Sequence, residues 1–301
     1  MLSGPLSVEK LRANARRNAR TFARPRTDVA SVRELEVPGG AGPVPARHYL
    51  PAEAPAGAAP PLLVFAHGGG YMVGDLDSHE EACRMLCRHG GVAVVSIDYR
   101  LAPEYPYPAG VEDLEAAFAW ARESASDLGA DPDRVGVGGD SAGGNLSAVV
   151  CQRLRDRGEP LPALQLLIYP GTDFAGEHLS HETYGEGLFL VREDLAAARS
   201  NYIPEGVDPA DAGVSPLRAP HLGGLPPAVV VTAAFDPIRD EGEAYVSALA
   251  EAGVVVAHRR FPGLIHGFIN MTNVNPTSWD ATVAIAGMLR AGFTVQPAPG
   301  E

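Results

Sequence analysis

Ser141 stands in the run Gly139-Asp140-Ser141-Ala142-Gly143, where a short β-rich stretch meets a glycine cluster and a helix-forming stretch follows. A serine at such a strand-to-helix turn presents its hydroxyl openly. It also lies at a helix N-terminus, where N–H groups and the helix dipole favour developing negative charge. The pattern is typical of a nucleophile, although a tight turn in another α/β protein would also fit it. Other residues are needed to distinguish a nucleophile from an ordinary tight turn.

Two further residues have the chemistry that a nucleophilic serine needs. A serine hydroxyl is a poor nucleophile until an imidazole takes its proton, and an acid on the other ring nitrogen fixes the tautomer. Asp236 follows the apolar stretch 229–232, and His266 follows a stretch that we expect to end near Phe261. Both are therefore expected at the carboxyl ends of strands, where α/β sheets bind ligands. Singly, the aspartate could cap a helix and the histidine could belong to a loop. Together with Ser141 they predict a catalytic triad.

Asp240 is a second aspartate in the same stretch as Asp236. We expect it to begin a helix rather than to serve as the acid of the triad.

The run His67-Gly68-Gly69-Gly70 directly follows the apolar stretch 62–66, which is expected to be a buried strand. Glycines without side chains let backbone N–H groups point into a site, as an oxyanion hole requires. Two of these N–H groups, together with that of Ala142, would form a cradle of three donors. The alternative is a flexible glycine-rich turn.

We further expect Arg100 and Glu104 to pair beneath this loop, because buried charges need partners.

Stretches with strand and helix patterns alternate along most of the chain, which predicts a mostly parallel sheet with helices on its faces. The stretches 32–37 and 44–50 are expected to form a hairpin that precedes it. Residues 1 to about 30 are predicted to form one amphipathic helix. The alternation breaks between residues 171 and 209. We therefore predict a cap helix or arm at 1–30, a core at 31–170 and 210–296, and a cap insertion at 171–209.

The composition excludes several classes of function. The 301 residues carry a formal net charge of −13, which argues against binding to nucleic acids or to anionic membranes. No apolar run approaches the ~18–20 residues that span a bilayer, and we expect no signal peptide and a cytoplasmic location.

Cys83 and Cys87 lie four residues apart, but further metal ligands are lacking nearby, so buried thiols are predicted. We expect neither a metal nor another cofactor. A homodimer is left open.

Taken as a set, these motifs resemble the hormone-sensitive-lipase-like family of α/β-hydrolase fold esterases. The matching runs are His67-Gly68-Gly69-Gly70, Asp98-Tyr99-Arg100-Leu101-Ala102-Pro103-Glu104, Gly139-Asp140-Ser141-Ala142-Gly143-Gly144, Ser215-Pro216-Leu217, Asp236-Pro237-Ile238-Arg239-Asp240 and His266-Gly267-Phe268. The resemblance covers residues 67–268 and extends to the preceding hairpin. It implies an α/β-hydrolase fold with a mostly parallel central sheet, flanking helices and a helical cap.

The resemblance also implies roles for particular residues. Ser141 would be the nucleophile, with Asp236 and His266 as its partners. The implied oxyanion donors are Gly69, Gly70 and Ala142.

The sequence therefore predicts a serine carboxylesterase that forms an acyl-enzyme and acts on short- to medium-chain acyl esters. Tyr71, Phe189 and Leu190 are candidates to line its substrate pocket. An amide-type hydrolase similar to an arylformamidase could use the same machinery. A receptor on the same fold, as in plant gibberellin perception, is a further alternative. In those receptors the catalytic histidine is replaced, whereas His266 is present here.

Overall fold

The computed structural model describes residues 8–23, 26–52 and 59–295. At its centre is an eight-stranded sheet with the order β1-β2-β4-β3-β5-β6-β7-β8. Strands β1 and β2 form the predicted hairpin, and β2 is antiparallel to β4, whereas the other neighbours are parallel. The strands are β1 (Ser31–Gly39), β2 (Gly42–Leu50), β3 (Leu62–Ala66), β4 (Ala93–Ile97), β5 (Val135–Asp140), β6 (Gln165–Ile168), β7 (Ala228–Phe235) and β8 (Val256–Ile265).

Helices cover both faces of the sheet, which is the architecture predicted from the alternating pattern. The helices are α1 (Val8–Phe22), α2 (Glu80–Gly90), α3 (Ala109–Ser124), α4 (Ala142–Asp156), α5 (Leu179–Tyr184), α6 (Arg192–Tyr202), α7 (Arg239–Glu251) and α8 (Pro276–Gly292). Along β3, Val64 packs in the cluster that contains α3 and α4 residues, and Phe65 packs in the cluster that contains α2 and α8 residues. Successive side chains of a strand point to opposite faces, so every residue of this strand is buried.

The N-terminal helix is shorter than predicted, because α1 ends at Phe22 and residues 26–30 are not helical. The sequence supplies a reason in Pro25, since proline has no N–H and its ring clashes with the preceding turn of a helix. The carbonyl of Phe22 instead accepts a hydrogen bond of 2.8 Å from the N–H of Asn273. Residues 1–7, which also belong to the predicted helix, lie outside the described residues.

Strand β8 is longer than predicted, and this places His266 immediately after a strand. The sequence pattern ends the strand near Phe261, since Pro262 and Gly263 follow. In the structure β8 continues to Ile265, because β7 pairs with it beyond a register shift between Ala233 and Phe235.

Helices α5 and α6 occupy the segment where the strand–helix alternation breaks. Residues of both helices and of α1 line a cavity that also contains Ser141 and His266. These elements therefore lie at the carboxyl edge of the parallel strands. The predicted boundaries of a cap at 1–30 and 171–209 remain predictions.

Candidate active site

Ser141 occupies the sharp turn between β5 and α4. Its backbone has φ 53° and ψ −116°, a conformation that residues with a side chain rarely adopt. The turn is held by a 2.8 Å hydrogen bond from the N–H of Ser141 to the carbonyl of Ile168. A Cβ on Gly143 would lie 1.9 Å from the carbonyl oxygen of Ala66, so only glycine lets α4 approach β3 this closely. The strained turn is thus held by its surroundings.

The structure brings Ser141, His266 and Asp236 into one hydrogen-bonded chain. His266 Nε2 lies 2.9 Å from Ser141 Oγ, and His266 Nδ1 lies 2.7 Å from Asp236 Oδ2. The other carboxylate oxygen of Asp236 accepts the N–H of Ile238 at 3.0 Å, which fixes the orientation of the carboxylate. Since a carboxylate only accepts, Nδ1 carries the proton and leaves Nε2 free to accept from the serine hydroxyl.

This chain of contacts is buried within the protein. Asp236 is fully buried and only 6% of His266 is exposed. The ring of Tyr169 packs against the imidazole of His266 with 4.7 Å between ring centres. Asp240, the other candidate acid, is instead in the first turn of α7, where it accepts the N–H of Ser180 at 2.9 Å.

His67 anchors the glycine loop. Its ring stacks on Tyr99 at 4.4 Å, and the hydroxyl of Tyr99 donates to the carbonyl of His67 at 2.8 Å. His67 Nδ1 lies 2.8 Å from the carbonyl of Gly68. Complete burial lowers the pKa of His67 to about 4, so the ring is neutral at pH 7 and Nδ1 is the donor.

The three glycines of this loop have different roles. The N–H of Gly68 donates to Asp140 Oδ1 at 2.8 Å and is therefore engaged within the protein. Gly69 has φ 126°, and a Cβ there would lie 2.1 Å from the carbonyl oxygen of Val73. Gly69, Gly70 and Ala142 all line the cavity beside Ser141. Ala142 is the first residue of α4, so its N–H has no acceptor within the helix.

The cavity at this site has a volume of about 880 Å³. Tyr71, Phe189 and Leu190, the three residues proposed from sequence, are part of its wall. Tyr71 is itself buried and stacks on Tyr202 with 3.6 Å between ring centres. Phe189 is half exposed and its ring covers Gly267, next to His266. The N-terminal cap was predicted from the sequence without its lining residues, and the structure places Leu11, Asn14, Ala15, Asn18, Ala19 and Phe22 of α1 in the wall.

The predicted ion pair between Arg100 and Glu104 is wrong. Arg100 Nε donates to Asp113 at 2.9 Å, and the carboxylate of Asp113 is fully buried. Glu104 is bound by Arg12 of α1 at 2.7 Å. An arginine pairs with a carboxylate that its planar guanidinium reaches in the folded protein, whatever their separation along the chain.

The described residues contain no group of three or more His, Cys, Asp or Glu side chains arranged to hold a metal ion. Cys83 and Cys87 are free buried thiols, as predicted, and burial raises the pKa of each to about 12. None of the helices in the described part of the chain has the length and apolar character needed to span a bilayer.

Comparison with known proteins identifies relatives of this chain. A family model described as alpha/beta hydrolase fold matches residues 63–270. The carboxylic ester hydrolase LipN of Mycobacterium tuberculosis is 52% identical over 266 residues, which cover 86% of this chain and 70% of LipN. The carboxylesterase NlhH of the same organism is 43% identical over 226 residues, which cover 74% of this chain and 70% of NlhH.

A solved structure agrees with these relatives. An ester hydrolase from the metagenome of Lake Arreo, determined in complex with a derivative of bipyridine phosphonate, superposes with a TM-score of 0.92. It is 41% identical, and the match covers 96% of this chain and 92% of that protein.

Proposed function

Because the chain belongs to the hormone-sensitive-lipase-like family of α/β-hydrolase esterases and is a carboxylic-ester hydrolase, we propose that it cleaves esters through a covalent acyl-serine at Ser141. The observation that carries this proposal is the hydrogen-bonded chain from Ser141 Oγ through His266 to Asp236. That chain supplies a nucleophile, a base and an orienting acid in the order that acyl transfer requires.

In the first half of the reaction, Ser141 Oγ attacks the ester carbonyl while His266 Nε2 takes the hydroxyl proton. Asp236 stabilises the resulting imidazolium through its contact with Nδ1. The carbonyl oxygen becomes negative and is held by the N–H groups of Gly69, Gly70 and Ala142. One such donor is typically worth about 10²–10³ in rate.

The first tetrahedral intermediate then collapses: the bond to the alcohol oxygen breaks, His266 Nε2 gives its proton to that oxygen, and the alcohol departs from the acyl-serine. The second half releases the acid. A water molecule then gives a proton to Nε2 and attacks the acyl carbonyl. Collapse of the second tetrahedral intermediate breaks the acyl bond to Ser141 Oγ, which takes the proton back from His266 Nε2 as the acid leaves. Apart from the substrate and this water, every group that these steps use belongs to the chain.

We propose short- to medium-chain acyl esters as substrates. The cavity of about 880 Å³ has apolar side chains from α1 and from the segment that contains Phe189 and Leu190. Each acyl CH₂ buried there contributes roughly 0.8 kcal/mol, so kcat/KM rises with chain length until the cavity is filled. Beyond that length activity falls.

The proposal is tested with a panel of p-nitrophenyl esters from acetate to dodecanoate and with a reactive aryl phosphonate. We expect an optimum at short to medium chains and stoichiometric labelling of Ser141. Ser141→Ala should lose nearly all hydrolysis and all labelling while keeping its melting temperature, because only the reacting hydroxyl is removed. A variant that retains a tenth of the wild-type kcat would overturn the acyl-serine mechanism. Strong activation on emulsified long-chain triglycerides would overturn the substrate range.

A further inference from the structure

Asp140 precedes the nucleophile, and its side chain binds the loop on the other side of the site. The residue is 3% exposed, and its Oδ1 accepts the N–H of Gly68 at 2.8 Å. Gly68 directly precedes Gly69 in the chain. One carboxylate therefore connects the turn that carries Ser141 to the loop that carries the oxyanion donors.

The same carboxylate has two further partners. His79 Nε2 lies 3.2 Å from Asp140 Oδ1, and His79 Nδ1 lies 2.9 Å from the hydroxyl oxygen of Ser78. On the other oxygen, the hydroxyl of Tyr169 donates to Asp140 Oδ2 at 3.3 Å. Both carboxylate oxygens are thus engaged within the protein, which leaves Asp140 badly placed to act as a base.

These contacts keep Asp140 ionised despite its burial. Burial by itself would raise the pKa of Asp140. The charge and hydrogen bond of His79, together with the hydrogen bond from Gly68, outweigh burial and hold the pKa below its usual value. A full negative charge strengthens the bond from the Gly68 N–H, because charge-assisted hydrogen bonds are shorter and stronger than neutral ones.

Through Tyr169, the carboxylate also reaches the catalytic histidine. Tyr169 has φ 36°, and its ring packs on His266 with 4.7 Å between ring centres. Burial raises the pKa of Tyr169 well above its usual value, so the phenol keeps its proton and acts as the donor. The hydroxyl of Tyr169 thus links Asp140 to the ring that packs on His266.

We propose that Asp140 is a positioning residue that aligns the oxyanion donors of the Gly69 loop with Ser141, an inference that rests on the acyl-serine mechanism proposed above. The bond to Gly68 orients the peptide that leads into Gly69. When that bond is lost, the donors shift away from the place where the oxyanion forms. The loss falls on the transition state rather than on the bound substrate, because the donors act mainly on the charge that develops during attack.

The test compares Asp140→Ala with Asp140→Asn. Asparagine can still offer an oxygen to Gly68 and an amide N–H to the oxygen of Tyr169, so it preserves the geometry without the charge. Alanine preserves neither. We measure kcat and KM for p-nitrophenyl acetate and the inhibition constant of an aryl trifluoromethyl ketone, which mimics the tetrahedral intermediate.

For Asp140→Ala we expect kcat to fall by about 10²–10³, as for the loss of one oxyanion donor, with little change in KM. The ketone should bind more weakly by a similar factor. The kcat of Asp140→Asn should be at least about tenfold higher than that of Asp140→Ala. Asp140→Ser, whose hydroxyl is too short to reach Gly68, serves in place of the alanine variant if that protein does not fold.

Three results would overturn the proposal: a folded alanine or serine variant with wild-type kcat, a fall in kcat without weaker ketone binding, or an asparagine variant no better than alanine. Failure of the acyl-serine mechanism would look different. It would appear in the wild-type protein as absent phosphonate labelling of Ser141, before any Asp140 variant is made.

Discussion

Arg12 of α1 binds both carboxylate oxygens of Glu104, 92 residues further along the chain, at 2.8 and 2.7 Å. The same guanidinium donates to the carbonyls of Met72 and Ala102 at 2.8 and 3.1 Å. Other residues of α1, among them Leu11 and Ala15, line the cavity. Four hydrogen bonds from one side chain therefore attach this wall of the cavity to the core, together with the ion pair of Arg16 with Asp75 and the bond from Asn273 to Phe22.

Arg12→Ala should loosen this wall. We expect KM for p-nitrophenyl octanoate to rise several-fold, with a smaller change for the acetate ester, because longer acyl chains use more of the apolar lining. Arg17→Ala is the matched control, since the guanidinium of Arg17 donates to Asn14 within α1. Deletion of residues 1–30 should flatten the chain-length profile further. A profile identical to wild type in folded protein would show that α1 does not form the acyl site.

Asp236→Asn should lower kcat by about 10⁴, because an amide cannot hold His266 in the tautomer that accepts the serine proton. Asp240→Asn should cost far less activity, since Asp240 contacts Ser180 and Arg239 rather than His266. Both rates are measured on p-nitrophenyl acetate with protein of verified fold. If Asp240→Asn proved the more damaging change, the assignment of the acid would be wrong.

Gly143→Ala should destabilise the protein by more than about 2 kcal/mol, because overpacking against backbone forces the chain to shift. Its Cβ would meet the carbonyl oxygen of Ala66 at 1.9 Å. Gly287→Ala in α8 is the control, since a Cβ there has no atom within 4 Å and alanine favours helices. Urea unfolding gives both values. Equal stabilities for the two variants would contradict the close approach of α4 to β3.

The free energy of unfolding should fall as the pH is lowered from about 6.5 to 4. Burial lowers the pKa of His67 to about 4, and burial with the charge of Arg33 does the same for His48. In the unfolded chain both histidines titrate near 6.5, so over this range the unfolded state binds more protons and stability decreases. His48→Gln should reduce the slope in urea titrations at pH 7, 5.5 and 4.5. An unchanged slope would show that His48 does not contribute to it.

The sequence by itself was sufficient to predict the alternation of strands and helices. It was also sufficient to predict that Ser141, Asp236 and His266 lie at the ends of strands. Parallel strands joined by right-handed crossovers bring their carboxyl ends to one edge, so residues far apart in the chain meet there. The N-terminal helix was predicted too long, although Pro25 was visible in the sequence and offered a reason to end it earlier.

The hydrogen-bond and ion-pair partners of residues far apart in the chain could be identified only from the tertiary structure. Glu104 binds Arg12 instead of Arg100, and the N–H of Gly68 donates to Asp140 although all three glycines of the loop looked alike. Periodicity records which face of an element is buried, because burial repeats with the geometry of a helix or strand. A hydrogen bond or an ion pair depends on the reach and direction of two side chains from separate elements, and those are set only when the elements pack.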